Sequence, residues 1–423
     1  MTTTALRRKV EHISPIRQRV MGIIFLAIAF SIWFFFSRPT DSDLITTFVL
    51  TPGRFDETLG DWEFSTVVAS NVLAFICAFL GGVQLMRAGG FGRYTNLVLA
   101  AVAGFFIFGF LTWAAAGSSL NLASLLNTTL SKAVPLTLGA LSGVLCERAG
   151  VVNIAIEGMM LAGALVAAVV GSVAGNLWIG LLAAVLTGAL LGFIHAVLSI
   201  KYLVNQIVSG TVINIFSIGM TSYIASKFLT VNRNLNAPGI FPVVEVPILS
   251  KIPFLGPILF NNNMFVYAMF FFLILLHVAL FKTRWGLRVR SVGEHPRAAD
   301  TLGINVFRTR YMAVILGGMM AGFAGAYFTL GSVGRFNEVM TAGRGFISLA
   351  AMIFGNWNPF GAFGAGLLFG FADSLATRLA ILNVQIPSQF LLMAPYVATM
   401  VVLAGVVGRG QMPAADGEPY EKQ

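Results

Sequence analysis

Apolar runs long enough to cross a bilayer alternate along this chain with short polar breaks, at 20–36, 64–86, 95–116, 120–145, 151–174, 177–200, 206–229, 264–281, 311–330, 361–378 and 389–407. A helix needs about 20 apolar residues to traverse the hydrocarbon of a membrane. A twelfth run, 346–355, is about half that length, so it is either a tilted span completed by its flanks or a re-entrant piece. The pattern predicts an all-α polytopic membrane protein of about twelve hydrophobic segments, some broken or re-entrant. The first run follows a basic lead, as a signal peptide would. It ends in IWFFFSRP, however, with no small-residue cleavage pattern, and reads as an uncleaved span.

One run is less uniform than the rest. Asn127, Thr128, Thr129, Ser131, Lys132 and Pro135 interrupt the segment 120–145. Polar groups at membrane depth face the protein interior or a cavity, and a proline there predicts a kink or break. There is also an internal echo: Gly188-Ala-Leu-Leu-Gly192-Phe193 resembles Gly366-Leu-Leu-Phe-Gly370-Phe371, and each follows a glycine-rich stretch, 150–158 or 343–355. Transporters are often built from such duplicated halves.

Composition agrees with the pattern. The chain is 57% hydrophobic and 10% charged, with 45 glycines and 37 phenylalanines, which suits closely packed membrane helices. Its net charge of +10 comes from basic residues clustered at span ends, among them Arg7, Arg8, Lys9, Arg17, Arg19, Arg87, Arg93 and Lys201. Topology and anionic membrane lipids account for these better than nucleic acid does. Counting outward from the basic lead places both termini in the cytoplasm and the acidic loop 37–63 outside. The polar, proline-bearing loop 230–262 also falls outside. Cys77 and Cys146 lie in or beside apolar runs and imply no disulfide framework, and four scattered histidines show no metal-ligand spacing.

Two stretches carry candidate chemistry. The loop 282–310 holds seven basic and two acidic residues between apolar runs, which reads as cytoplasmic. Within it Pro296 suits a first helical position and Gly303 a left-handed stop, so 296–302 is expected to be a short surface helix with Arg297 and Asp300 on one face. It is either a bare topogenic loop or a projection gripped by something soluble. The second stretch is 147–158, where Asn153 and Glu157 stand four apart and are expected on one helical face just inside the membrane. A buried carboxylate there needs pairing, capping or water. It would be either a wall or hinge of a permeation path, or a polar staple across a broken helix. Asn205, Gln206 and Asn214 form a similar stripe, whereas His195 and His277 read as packing residues and Asp373 and Arg378 as interfacial. No Gly-Lys dipeptide, HExxH or nucleophile elbow occurs, so no bound cofactor and no enzyme activity are expected of this chain. Only Glu157, Lys132 and Asp373 qualify as intramembrane charges for an ion-coupled secondary transporter, and none is clearly paired.

These same residues carry a resemblance. The run ERAGVVNIAIEGMMLAGA (147–164) is similar to the signature of integral permease subunits of bacterial ABC importers for nucleosides and simple sugars, relatives of the branched-chain amino acid and ribose permeases. SVGEHPRAADTLGINV (291–306) resembles that family's cytoplasmic coupling segment, and AGRGFISLAAMIFGNWNPFGA (342–362) its C-terminal half. The resemblance covers about 120–408, leaving 1–119 as an extension of about three spans and 409–423 as a polar cytoplasmic tail. It implies a multi-pass subunit of the bacterial plasma membrane that moves nucleosides, purine nucleosides in particular, inward. The ATP would be used by a partner ATPase, single or tandem, beside a second homologous permease and an extracytoplasmic substrate-binding lipoprotein. Gly293, Glu294, Pro296, Ala298, Ala299 and Gly303 would couple to the ATPase. Gly150, Asn153, Glu157 and Gly158 would carry the signature, with Asn205 and Asn214 beside the path. A simple sugar or a branched-chain amino acid is the alternative cargo.

Overall fold

Hydrocarbon offers no partner to a backbone N–H or carbonyl, so each apolar run folds into a helix that pairs them within itself. The computed structural model describes residues 15–52, 59–87, 89–381, 393 and 411–422. The run at 389–407 and the basic lead Arg7, Arg8 and Lys9 lie outside these residues. Among the described residues, ten helices are long and apolar enough to cross a membrane. The chain is an all-α polytopic membrane protein.

The chain divides into two units, of which the first comprises 1–123 with 379–385. Here α1 (Pro15–Ser31) widens into π turns over Ile32–Ser37 and packs with α2 (Thr66–Met86) and α3 (Thr95–Ala114). Phe25, Ile32, Phe36, Cys77 and Val102 are buried together, so the unit has an apolar core of its own. Strand β1 (Ile45–Val49) pairs antiparallel with β2 (Trp62–Ser65) and parallel with β3 (Ser119–Asn121). Buried Thr46 ties sheet to helices: its hydroxyl donates to the Thr112 carbonyl at 2.8 Å and lies 2.8 Å from Thr66 Oγ1.

The second unit comprises 124–378 with 386–423. Its leading helix α4 (Leu122–Glu147) runs through Pro135 without a break, which removes one of the two expectations for that proline. The helix is buried over most of its length. Its outer polar side chains have partners: Thr128 and Thr129 donate to the carbonyls four residues back, and Asn127 donates to Pro257 O at 3.1 Å. Packing on all sides holds what one missing N–H would loosen. After α4 come α5 (Ile156–Ala174), α6 (Leu177–Ala196) and α7 (Gln206–Ile224). The loop that follows contains β4 (Val243–Glu245), the short α8 (Leu255–Leu259) and β5 (Asn261–Asn263), with β4 and β5 antiparallel. Then come α9 (Met264–Lys282), α10 (Arg284–Glu294), α11 (Pro296–Thr301) and α12 (Val306–Ala326), the last passing into π turns over Tyr327–Val333. The half-length run becomes α13 (Arg344–Phe354), bounded by Gly343 and Gly355. Its flanks do not extend it, and α14 (Pro359–Ile381) follows.

Glycines decide how these helices meet. Lipid tails are as apolar as leucine, so helices associate where small residues let backbones touch. On α6, Gly188 and Gly192 lie against the backbone of Gly318 and Gly322 on α12. On α14, Gly366 and Gly370 lie against Thr137 and the Thr129–Ala133 turn of α4. Helices α5 and α13 cross over in the same way. Gly163 of α5 meets Gly322 of α12, while Gly139 and Gly143 of α4 meet Ser348 and Met352 of α13. The repeated glycine pair thus performs one task twice: each half's later helices pack on the other half's leading helix.

Candidate coupling surface and helix-break site

Between α4 and α5 the chain leaves the helix. Gly150 adopts a left-handed φ of +79°, and Asn153 turns its side chain onto its own backbone, Oδ1 accepting from Ala155 N at 3.1 Å. An Asx turn of this kind competes with helix formation. Asn153 therefore sits in the break, and the expectation that it shares a helical face with Glu157 is wrong. Its Nδ2 points at Cys146 Sγ, 3.5 Å away.

Three neighbours hold the break from α6 and α7. Gln206 Oε1 accepts from Val152 N at 2.7 Å, and Asn214 both accepts from Gly158 N at 2.8 Å and donates to Ile154 O at 2.9 Å. His195 lies between Val152 O at 2.9 Å and Ser209 Oγ at 3.0 Å. Asn205 caps α7, accepting from Ile207 and Val208 N, and its backbone is exposed at the helix start. Gly158 is packed on the Asn214 backbone, where a β-carbon would crowd it.

Glu157, only 3% exposed, reaches across to the start of α13. Oε1 accepts from Thr341 Oγ1 at 2.6 Å and Gly343 N at 2.9 Å, and Oε2 from Gly345 N at 2.6 Å. Two helix N-termini converge on one carboxylate, whose charge answers the positive dipole end of each. A side chain at position 345 would strike the Glu157 backbone at 2.5 Å. These bonds staple the start of α5 to the start of α13.

The basic loop forms two helices rather than one. Thr283 caps α10, whose Gly286, Val289, Val292 and Gly293 face inward. Pro296 opens α11 and Gly303, at φ +80°, stops it. The two alanines of α11 part company: Ala298 is exposed, whereas Ala299 is 2% exposed and packs with Val292, Val306 and Tyr420. Gly293 is buried too, against Arg148 O and Gly150 N. What projects outward is Arg297, Ala298, Thr301 and Leu302, the leucine 80% exposed.

The tail is not a free polar end. Residues 411–422 lie along α10, α11 and the helix break, with Ala415 N donating to Gly293 O at 2.9 Å and Ala414 N to Glu294 Oε2 at 3.2 Å. Gln411 N reaches Asn356 Oδ1 at 2.8 Å, Arg310 Nη1 donates to Glu418 O at 3.0 Å, and Lys422 pairs with Asp300 at 3.7 Å. Asp416 is buried beside Glu147 and Arg310. Burial pushes its carboxyl up to about 7, against the pull of the Arg310 charge. Glu147 is held in turn by Trp357 Nε1 at 2.5 Å.

Sequence reasoning missed the tail's role, the Trp357 contact and the Thr341–Gly345 donors. The donors lie in a stretch already singled out, but only the fold shows which acid they serve. Lys132 and Asp373, read as unpaired, form an ion pair of 3.2 Å that Arg344 joins at 3.7 Å.

Comparison with known proteins adds a family. The branched-chain amino acid transport system permease component family matches residues 124–407. The guanosine ABC transporter permease protein NupQ of Bacillus subtilis is 41% identical over 303 residues, covering 70% of this chain and 95% of that protein. The nucleoside ABC transporter permease protein NupC of Lactococcus lactis is 41% identical over 302 residues, 68% of this chain and 93% of that protein. A second guanosine permease protein of Bacillus subtilis, NupP, is 26% identical over 269 residues, 62% of this chain and 74% of that protein. No solved structure matches.

Proposed function

From the premise that this chain belongs to the branched-chain amino acid transport system permease family, we propose that it is one membrane subunit of an ATP-driven importer of nucleosides. A cytoplasmic ATPase, single or tandem, hydrolyses the ATP and grips α11, and a lipoprotein delivers the nucleoside from outside. The second membrane subunit is a different permease. Bacillus subtilis has two guanosine permease proteins, and this chain is much more similar to one than to the other.

The observation that carries the reading is the projecting end of α11. A short helix capped by Pro296 and Gly303 presents Arg297, Ala298, Thr301 and Leu302 outward while Ala299 anchors it beneath. An exposed leucine rimmed by polar groups suits docking into a cleft of a soluble partner. ATPase closure pushes on this knob. Through Gly293, packed on the helix break, the push reaches α4 and α5, and the path swings between its two faces as rigid bodies.

Uptake of labelled guanosine, glucose and leucine by a strain lacking the gene tests the cargo. Guanosine uptake alone should fall, and an unchanged guanosine uptake would sink the reading. Pull-down of the intact importer should recover an ATPase, and Leu302→Asp should release it without lowering the amount of permease in the membrane.

A further inference from the structure

Among the described residues, a cavity of about 390 Å³ lies between α4 and the end of α12, bounded by Lys132, Tyr327, Phe328, Asn337, Met340 and Arg344. That volume is typical of small-molecule sites, which span about 300–1,000 Å³. Its wall combines three features that packing does not require. First, charges sit in membrane spans, where they mark pathways and sites rather than lipid contacts. Lys132 and Arg344 share the Asp373 carboxylate at 3.2 and 3.7 Å, so two cations face one anion and the excess charge is positive. Second, the backbone is irregular: Tyr327 to Val333 forms π turns, a distortion of helices that recurs at functional sites. On the facing helix Pro135 has no N–H to offer the Ser131 carbonyl, leaving an acceptor on that side. Third, Tyr327 and Phe328 provide an aromatic wall, with the Arg344 guanidinium 5.8 Å from the Phe328 ring centre.

A second cavity, about 680 Å³, shares Asn337 with the first and is otherwise bounded by polar residues such as Thr230, Arg233, Asn236 and Glu338. The two cavities meet at Asn337, and the first is the smaller chamber. The chamber's chemistry selects its guest. Cationic donors favour a solute rich in acceptors, the aromatic wall favours a flat one, and a planar guanidinium matches two acceptors side by side. The O6 and N7 atoms of a 6-oxopurine are such a pair. Adenine presents one donor and one acceptor at the same edge.

We propose that this cavity is a solute-contact site of the permeation path, and that it takes a 6-oxopurine nucleoside by its base. Arg344 is the specificity-determining residue, donating to the O6/N7 edge. The proposal rests on the nucleoside reading above. Contacts are few, as a site that must release its cargo requires.

The test uses the complete importer in a strain lacking its own, with labelled guanosine and adenosine. Arg344→Lys keeps the charge beside Asp373 but loses the planar fork, so the KM for guanosine should rise about fivefold or more while that for adenosine moves little. Phe328→Leu should raise both. Asn337→Ala, at an exposed side chain, should raise the KM for guanosine at normal membrane abundance, which keeps the test open if Arg344→Lys fails to insert. An unchanged guanosine-to-adenosine ratio in Arg344→Lys, or unchanged guanosine uptake in Asn337→Ala, overturns the site. If the wild-type importer takes up guanosine while the variants behave like it, the site alone fails. If the wild type takes up no nucleoside, the functional reading fails with it.

Discussion

Glu157 shows what a single residue decides here. Three donors from the far half meet its carboxylate, and hydrogen bonds to a charged group are worth about 1.5–3 kcal/mol each where a donor is left stranded. Glu157→Gln turns one acceptor into a donor facing N–H groups. It should cost about 2–3 kcal/mol, read as a lower melting temperature of the detergent-purified protein. The alanines of α11 give a second contrast. Ala299→Glu buries a charge among Val292, Val306 and Tyr420 and should lower permease abundance. Ala298→Glu should leave abundance normal and weaken ATPase recovery, as measured by pull-down against a membrane blot. Pro296 and Gly303 were legible in the sequence because caps are local rules. The partners of Glu157 were not, since they lie 184 to 188 residues away and nothing in spacing pairs them.

At the scale of elements, the α6–α12 seam is closely packed. A side chain at Gly322 would drive into the Ala184 carbonyl and the Gly188 backbone. Gly322→Val should therefore destabilise by about 1–3 kcal/mol or more, by overpacking. Gly219 on α7 has open space beside it, and Gly219→Ala should be neutral in the same thermal melt. The spans themselves were readable because hydropathy and length decide them. Pro135 does not break its helix because a proline does so only where the surroundings allow it, and α4 is enclosed by its neighbours. The helix α10 was not expected at all. Its sequence is dominated by arginines, and its four buried small and branched residues make an inward face only once the break is present to receive them.

At the scale of the molecule, the tail binds α10 and α11 to the break. Removing 411–423 should uncover Gly150, Gly293 and Arg310 and raise hydrogen–deuterium exchange across 284–303. The grip should also depend on pH. Asp416 holds its proton to about 7 when docked and has an ordinary value of 3.8 when free. Between those values the docked state carries a proton that the free tail has released, so docking weakens as pH rises from 3.8 to about 7 and is level above it. Exchange at 411–422, corrected for intrinsic rate, should rise over that window, and Asp416→Asn should reduce the slope. A polar composition gave no hint of this, because a tail is read as solvated until its partners are seen.

The staple also sets a schedule for biogenesis. Glu157 leaves the ribosome 188 residues ahead of Gly345, its last hydrogen-bond donor. At roughly 5–20 residues per second the acid waits about 10–40 s for company. During that interval the nascent first half carries a carboxyl without its hydrogen-bond partners, which opposes release of that segment into lipid. The translocon, or a membrane chaperone beside it, is thereby asked to retain early helices until late ones arrive.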